Sequence, residues 1–423
     1  MDDYRLIADE LATDIAAGRL KPGDQLPPQR RFARQRGIAG STAARVYSEL
    51  VRRGLAVGEV GRGTFVRTGK AVEQALAEPA SARVDLELNF SVLPGQAALQ
   101  AVELTAGALA AVGVNGTPAA REAAAEGLAR TGWTPEPDRI LFAGNGRQAI
   151  AAAIAALVPT GGRLGVEAIT YPVVKAAAAR LGVTLVPLPM DADGLIPAEI
   201  SKVHAVYVQP TLHNPLGITM SPRRRDDLSE VLRRQDIYAI EDNIYGFLKD
   251  TPPLDPSRTI LIDSLSKRLA PGLTVGFATT PLSLVDTMAS AVRSGGWTVQ
   301  RYALHAATTW FTTGVVDRIQ AEKRVDARER QEIARARIPS LQGDPGAYHV
   351  WWELPEVWRA ETYVAAAARR GIALTPAAAF AVVPGHAPNA VRLALSSPPL
   401  DVLAGALDTL ASLAREGPDS AFE

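Results

Sequence analysis

Lys267 has the clearest chemical potential in this chain. It lies in Asp263-Ser264-Leu265-Ser266-Lys267-Arg268-Leu269-Ala270-Pro271-Gly272, between an apolar strand-like run and a Pro-Gly break. An amine attacks a carbonyl only when partly neutral, and a lysine at a strand end among apolar neighbours is desolvated toward that state. Its chemistry would be Schiff-base formation with an aldehyde cofactor. A solvent-facing lysine is the competing reading, so the neighbours decide. Two further polar clusters follow apolar runs: Gln209-Pro210-Thr211-Leu212-His213-Asn214-Pro215-Leu216-Gly217 and Glu241-Asp242-Asn243-Ile244-Tyr245. Asn214 precedes Asp242 by 28 residues and Asp242 precedes Lys267 by 25, so one strand-helix-strand unit or less separates each pair. All three can face one crevice. Singly, Asp242 would also suit a helix cap, Asn214 a turn before Pro215, and Arg392 a surface charge.

The elements that must position these residues are legible in the hydrophobic pattern. Arg163-Leu164-Gly165-Val166, Val183-Thr184-Leu185-Val186, Ala205-Val206-Tyr207-Val208 and Tyr238-Ala239-Ile240 are strand-like, and they alternate with alanine-rich helical stretches. Such alternation predicts an α/β domain with a mainly parallel sheet, whose sites lie at the C-terminal ends of its strands.

This order of motifs, over most of residues 85 to 415, resembles the fold-type I pyridoxal-phosphate aminotransferases. The resemblance implies that Lys267 carries the Schiff base and that Asp242 pairs with the protonated pyridine nitrogen. It also implies that Asn214 and Tyr245 hydrogen-bond the ring's phenolic oxygen. In Gly144-Asn145-Gly146-Arg147-Gln148 a glycine turn opens a helix, and by the same resemblance Gly146, Arg147 and Gln148 offer backbone N–H groups to the cofactor phosphate. Ser264 and Ser266 would add hydroxyls to that phosphate, and Tyr171, before Pro172, would stack on the pyridine. Arg392, in Asn389-Ala390-Val391-Arg392-Leu393, resembles the arginine that forks a ligand carboxylate, a task suited to guanidinium. Thr274 departs from the pattern, since the family usually carries there an arginine that grips the phosphate. Losing that charge would cost on the order of 1.5 to 3 kcal/mol of a charge-assisted contact; either affinity falls, or Arg147 or Arg268 substitutes.

Ahead of this body lies a smaller module. Leu6, Ile7, Leu11 and Ile15 have helical spacing that ends at Gly18, and a second helix runs through Arg30 to Arg36 and breaks at Gly37. Ser41-Thr42 offers an N-cap to a third helix with Ala43, Val46, Tyr47 and Leu50 on its inner face. Two strand-like pieces, Leu55-Ala56-Val57 and Thr64-Phe65-Val66-Arg67, are joined by a glycine-rich turn. Three short helices and a hairpin predict a winged helix-turn-helix. Lys21-Pro22-Gly23-Asp24-Gln25-Leu26-Pro27, Val46-Tyr47-x-x-Leu50 and Gly61-Arg62-Gly63-Thr64-Phe65-Val66 resemble the GntR family of bacterial repressors. By that resemblance Arg30, Ser41 and Thr42 contact DNA, while Gly61 and Arg62 in the wing reach toward the minor groove. Gly40 stands where the family usually carries an arginine, which removes one expected contact.

Charge supports the division. Residues 1 to 70 hold 13 basic and 8 acidic residues, against 32 and 37 in the remainder, so the neutral total conceals a basic module on an acidic body. Residues 1–67 are expected to form the DNA-binding domain, 68–84 a small, polar linker, and 85–423 the cofactor- and effector-binding domain. With no cysteine and five histidines, disulfides, thiolate catalysis and His-rich metal sites are not expected. A charged N-terminus and the absence of a clean apolar span predict a cytoplasmic location.

A winged helix joined to an aminotransferase-like body resembles the MocR subfamily of GntR regulators. The expected function is a homodimeric, head-to-tail transcriptional regulator that binds operator DNA and senses pyridoxal phosphate or an amino compound held on it. The alternatives are an active aminotransferase and a regulator that has lost its cofactor.

Overall fold

In the computed structural model the described residues are 4–21, 24–53, 55–59, 63–66, 83–93, 96, 99 and 102–416. Pro22, Gly23, Gly61, Arg62 and the expected linker residues 68–82 lie outside them.

The N-terminal module follows its sequence pattern closely. Helices Tyr4–Ala16, Gln29–Arg36 and Gly40–Arg52 precede a hairpin of Ala56–Glu59 antiparallel to Gly63–Val66. Gly37 ends the second helix at φ 65°, a left-handed conformation that glycine adopts without steric cost. Ala8, Leu11, Phe32, Val46, Tyr47 and Leu50 form the module's own core. The Tyr47 hydroxyl donates to the Pro27 carbonyl at 2.5 Å and so ties the third helix to the start of the second. The expected cap differs. The third helix begins at Gly40 with Ala39 at the N-cap and no side-chain capping bond, so Ser41 and Thr42 sit inside the first turn.

The body is built on a seven-stranded sheet in the order Ile140–Ala143, Gly276–Thr279, Thr259–Ser264, Tyr238–Asp242, Ala205–Val208, Arg163–Glu167, Thr184–Leu188. Gly276–Thr279 runs antiparallel to both neighbours, and the remaining pairings are parallel. The central strands are buried along their whole length, as expected of a parallel sheet covered on both faces. Helix Gly146–Leu157 packs Ala149, Ala152, Ala153 and Ile154 against the sheet, where alanine permits close approach. A smaller C-terminal sheet pairs His349–Glu353, Ala390–Ala394 and Thr375–Pro376 and packs against helices Ala360–Arg369 and Leu400–Glu416. Val84, the last residue of the expected linker, is already in a strand, because Val84–Asp85 pairs in parallel with Ile372–Ala373 and Leu86 enters the core. Among the described residues no helix is long and apolar enough to cross a membrane, and no acidic or histidine cluster suits a metal.

Candidate functional site

A cavity of about 360 Å³ opens at the C-terminal ends of the parallel strands, between the large sheet and the C-terminal sheet. Gly146, Arg147, Tyr171, Asn214, Asp242, Tyr245, Ser266, Lys267 and Arg392 all line it. Sequence positions 146 to 392 therefore converge on one space, as the strand-end argument requires.

Lys267 sits in the short helix Leu265–Arg268 that follows strand Thr259–Ser264. Its Nζ donates to the Asn89 carbonyl at 2.6 Å and lies 5.5 Å from the centre of the Phe90 ring. Enclosure, helped by the positive charges of Arg147 and Arg392, pulls its pKa down to about 7, so a large neutral fraction exists near neutrality. A second lysine supports it from below. Lys323, fully buried, donates to the carbonyls of Lys267 at 2.8 Å and Leu269 at 2.5 Å, which fixes the backbone that carries the first lysine.

Asp242 ends the strand beside it. One carboxylate oxygen accepts from the Tyr207 hydroxyl at 2.5 Å and Gln209 Nε2 at 2.9 Å, the other from the Ile244 N–H at 3.2 Å. Burial raises its pKa to about 6, and these donors act in the opposite direction. Gln209 also accepts from the Asn214 N–H at 3.1 Å, so one side chain orients both strand-end groups. Tyr245 accepts from Asn89 Nδ2 at 3.1 Å; burial pushes its hydroxyl up to about 12 and keeps it a neutral donor. Tyr171, at the start of helix Pro172–Arg180, also has a raised pKa through burial, with Arg147 opposing the shift.

The turn before helix Gly146–Leu157 forms an anion cradle. Asn145 caps the helix by accepting from the Gln148 N–H at 2.9 Å, and the N–H groups of Gly146 and Arg147 have no acceptor among the described residues. A Cβ on Gly146 would stand 3.2 Å from Ser264 Cβ, and one on Gly276 only 2.4 Å from the Asn145 carbonyl oxygen. Two expected residues are placed differently. Gln148 is outside the cavity lining with its N–H committed to Asn145, and Ser264 is fully buried, its hydroxyl accepting from the Ser266 N–H and pairing with Thr274 at 3.1 Å. Thr274 lines the cavity where a cation was expected. Arg268 does not replace that cation, because it is buried in an ion pair with Asp263 at 2.5 Å and bonded to Gln320. Arg147, exposed and lining the cavity, is the cation left beside the cradle among the described residues.

Arg392 lies on the middle strand of the C-terminal sheet. It donates to Asn214 Oδ1 at 3.2 Å, to Thr375 Oγ1 at 3.1 Å and to the Glu87 carbonyl, and stacks 5.3 Å above the Phe380 ring. Its Nε is buried without a hydrogen-bond partner among the described residues. Residues 87 to 90 thus form a strap across the site, a feature that sequence reading missed. No motif marks it; its contribution is mostly backbone, which carries no residue signature. Tyr207 and Gln209 were legible only as strand and turn.

These donors fit pyridoxal phosphate: an unsatisfied helix N-terminus for phosphate, a buried carboxylate for the ring nitrogen, an aromatic ring, and an enclosed neutral-leaning amine. In the N-terminal module Arg30 and Ser41 are exposed and Thr42 is half-buried, on the first turns of successive helices.

Residues 90–410 match the family model for aminotransferase class I and II, and residues 3–66 match that for bacterial regulatory proteins of the gntR family. The chain is 28% identical to the HTH-type transcriptional regulator YdeF of Bacillus subtilis, over 93% of this chain and 90% of that protein. It is 27% identical to the probable rhizopine catabolism regulatory protein MocR of Rhizobium meliloti, covering 69% of this chain and 68% of that one. Among solved structures, an archaeal alanine:glyoxylate aminotransferase superposes with a TM-score of 0.72 at 23% identity, covering 79% of this chain and 91% of that chain, a likeness that shows the fold. The chain therefore belongs to the class I and II aminotransferase family, whose fold implies pyridoxal phosphate, and with its gntR-family DNA-binding domain it is a transcriptional regulator of the MocR subfamily.

Proposed function

We propose that Lys267 holds pyridoxal phosphate covalently and that the cavity senses the cofactor, or an amino compound with a carboxylate taken up beside it, to set affinity for operator DNA. When bound, pyridoxal phosphate supplies an aldehyde for amine capture and a conjugated ring that accepts electron density. Asp242, oriented by Tyr207 and Gln209, holds a proton on the ring nitrogen. Asn214 and Tyr245 flank the ring's phenolic oxygen, Tyr171 stacks on its face, and the N–H groups of Gly146 and Arg147 take the phosphate with Ser266. Arg147 supplies the charge that Thr274 lacks, and Arg392 takes the ligand carboxylate. Arg30, Ser41, Thr42, Gly61 and Arg62 contact DNA from a domain spanning 1–67, joined by 68–84 to a sensing domain of 85–423.

The observation that carries this reading is the strap. Lys267 donates to the Asn89 carbonyl and Arg392 to the Glu87 carbonyl, so both cations assigned to the ligand are tied to the segment that emerges from the interdomain connection. Engaging either cation elsewhere removes a tether of that segment, which gives ligand binding a differential effect on the arrangement of the two domains. A homodimer would pair the winged helices for two half-sites. The exposed Leu104, Leu109 and Tyr302, with Tyr302 bonded to the Val102 carbonyl, provide an apolar patch compatible with self-association.

Absorbance titration with pyridoxal phosphate followed by borohydride reduction and peptide mapping tests the cofactor assignment. Label fixed on Lys267 in wild type and absent from Lys267→Ala supports it; no label, or label elsewhere, overturns it. Sustained release of keto acid from an amino acid in the same preparation would instead favour an aminotransferase.

A further inference from the structure

Among the described residues, Glu87 is the one charged group lining the cavity that the proposed function leaves unmatched. The other charged groups are Arg147, Asp242, Lys267 and Arg392, and each has an assigned counterpart in the phosphate, the ring nitrogen, the aldehyde or the ligand carboxylate. Glu87 is half-buried, and its carboxylate has no hydrogen-bond partner and no ion pair among the described residues. Burial and the nearby Asp85 raise its pKa, while Arg392 acts against them without forming an ion pair. Its backbone is held firmly. The Asp85 carboxylate accepts from the Glu87 N–H at 2.7 Å and the Leu88 N–H at 3.1 Å, and the Glu87 carbonyl accepts from Arg392. The acid is therefore held beside the carboxylate-binding arginine, on the cavity side of the strap.

An unpaired, partly desolvated carboxylate penalises any ligand that leaves it unpaired and rewards one that brings a cation. A ligand whose amine meets the Lys267 side of the cavity and whose carboxylate meets Arg392 has only its side chain left to face Glu87. Resting on the reading of the cavity given above, we propose that Glu87 is a specificity-determining residue and that the effector is an amino acid carrying a second cationic group, an amine or guanidinium, at the far end of its side chain.

The test uses full-length protein loaded with pyridoxal phosphate, titrated with ornithine, lysine and arginine and with their neutral counterparts norvaline, norleucine and citrulline, following the absorbance of the bound cofactor. The expected result is that at least one cationic ligand perturbs the spectrum at a concentration about ten-fold or more below its neutral counterpart, as a charge-assisted contact would give. Glu87→Gln should abolish that difference while neutral ligands retain their affinity. If every neutral ligand binds as well as its cationic counterpart, or if the preference survives in Glu87→Gln, the assignment of Glu87 is wrong while the cavity reading stands. If none of the six perturbs the spectrum, the Glu87 assignment is wrong, and borohydride labelling of Lys267 in the same preparation shows separately whether the cavity reading stands.

Discussion

Lys267 is set apart from an ordinary lysine by its surroundings. Enclosure and two neighbouring guanidinium groups lower its pKa to about 7, so its neutral fraction grows as pH rises through that value. Incorporation of pyridoxal phosphate into apo-protein should therefore accelerate up to about pH 7 and then level, where an ordinary lysine would continue to gain until about pH 10. Stopped-flow absorbance across this range measures it, and a rate still climbing near pH 9 would contradict the assigned environment. Arg147 makes a second residue-scale prediction. If it carries the phosphate charge in place of Thr274, Arg147→Ala should weaken pyridoxal phosphate about ten-fold or more but leave phosphate-free pyridoxal nearly unchanged. Equal losses for the two would assign Arg147 to another role. Lys267, Asp242, Asn214 and Tyr245, which line one cavity, were legible in the sequence because the chemistry proposed for them rests on side chains. Asn89 was not, because its contribution to Lys267 is a carbonyl oxygen that any residue would provide.

At the scale of elements, the site depends on two close approaches. Strand Gly276–Thr279 passes so near the phosphate turn that a methyl on Gly276 would lie 2.4 Å from the Asn145 carbonyl oxygen. Gly276→Ala should displace the turn, lower stability by about 1 to 3 kcal/mol and weaken cofactor binding, which thermal unfolding with and without pyridoxal phosphate would reveal. Below the lysine, Asp263 is shared between Arg268 at 2.5 Å and Arg130 at 3.6 Å, all three buried. Asp263→Asn leaves two guanidinium groups without their carboxylate and should cost about 3 to 5 kcal/mol in denaturant unfolding. The sheet was readable from apolar runs whose strands match the expected ones to within a few residues. Arg268 was not readable as structural, since a basic residue beside a cofactor lysine is equally suited to phosphate until its buried partner is seen. The cap of the third N-terminal helix was misplaced for a related reason: serine and threonine suit both an N-cap and a first turn, and here the backbone enters the helix two residues earlier, with Ala39 at the cap.

Over the whole molecule, a basic gntR-family module precedes an acidic aminotransferase-like body, and the strap of residues 87 to 90 lies near the start of that body. Lys267 and Arg392 both donate to that strap, and the proposed function links ligand to DNA through the exchange of these hydrogen bonds. The division into two parts was plain in composition and motif, whereas the strap required the fold, since it joins residues about 180 and 300 positions apart. The most direct measurement is the affinity of the full-length protein for a DNA site it has selected from a random library, by fluorescence anisotropy, with and without pyridoxal phosphate and an amino acid ligand. If the cavity governs operator binding, these ligands change DNA affinity by about five-fold or more in wild type, within the usual range of allosteric coupling. They should change nothing in Lys267→Ala, which should still bind DNA. DNA affinity indifferent to the ligands in wild type, or an equal response in Lys267→Ala, would contradict it.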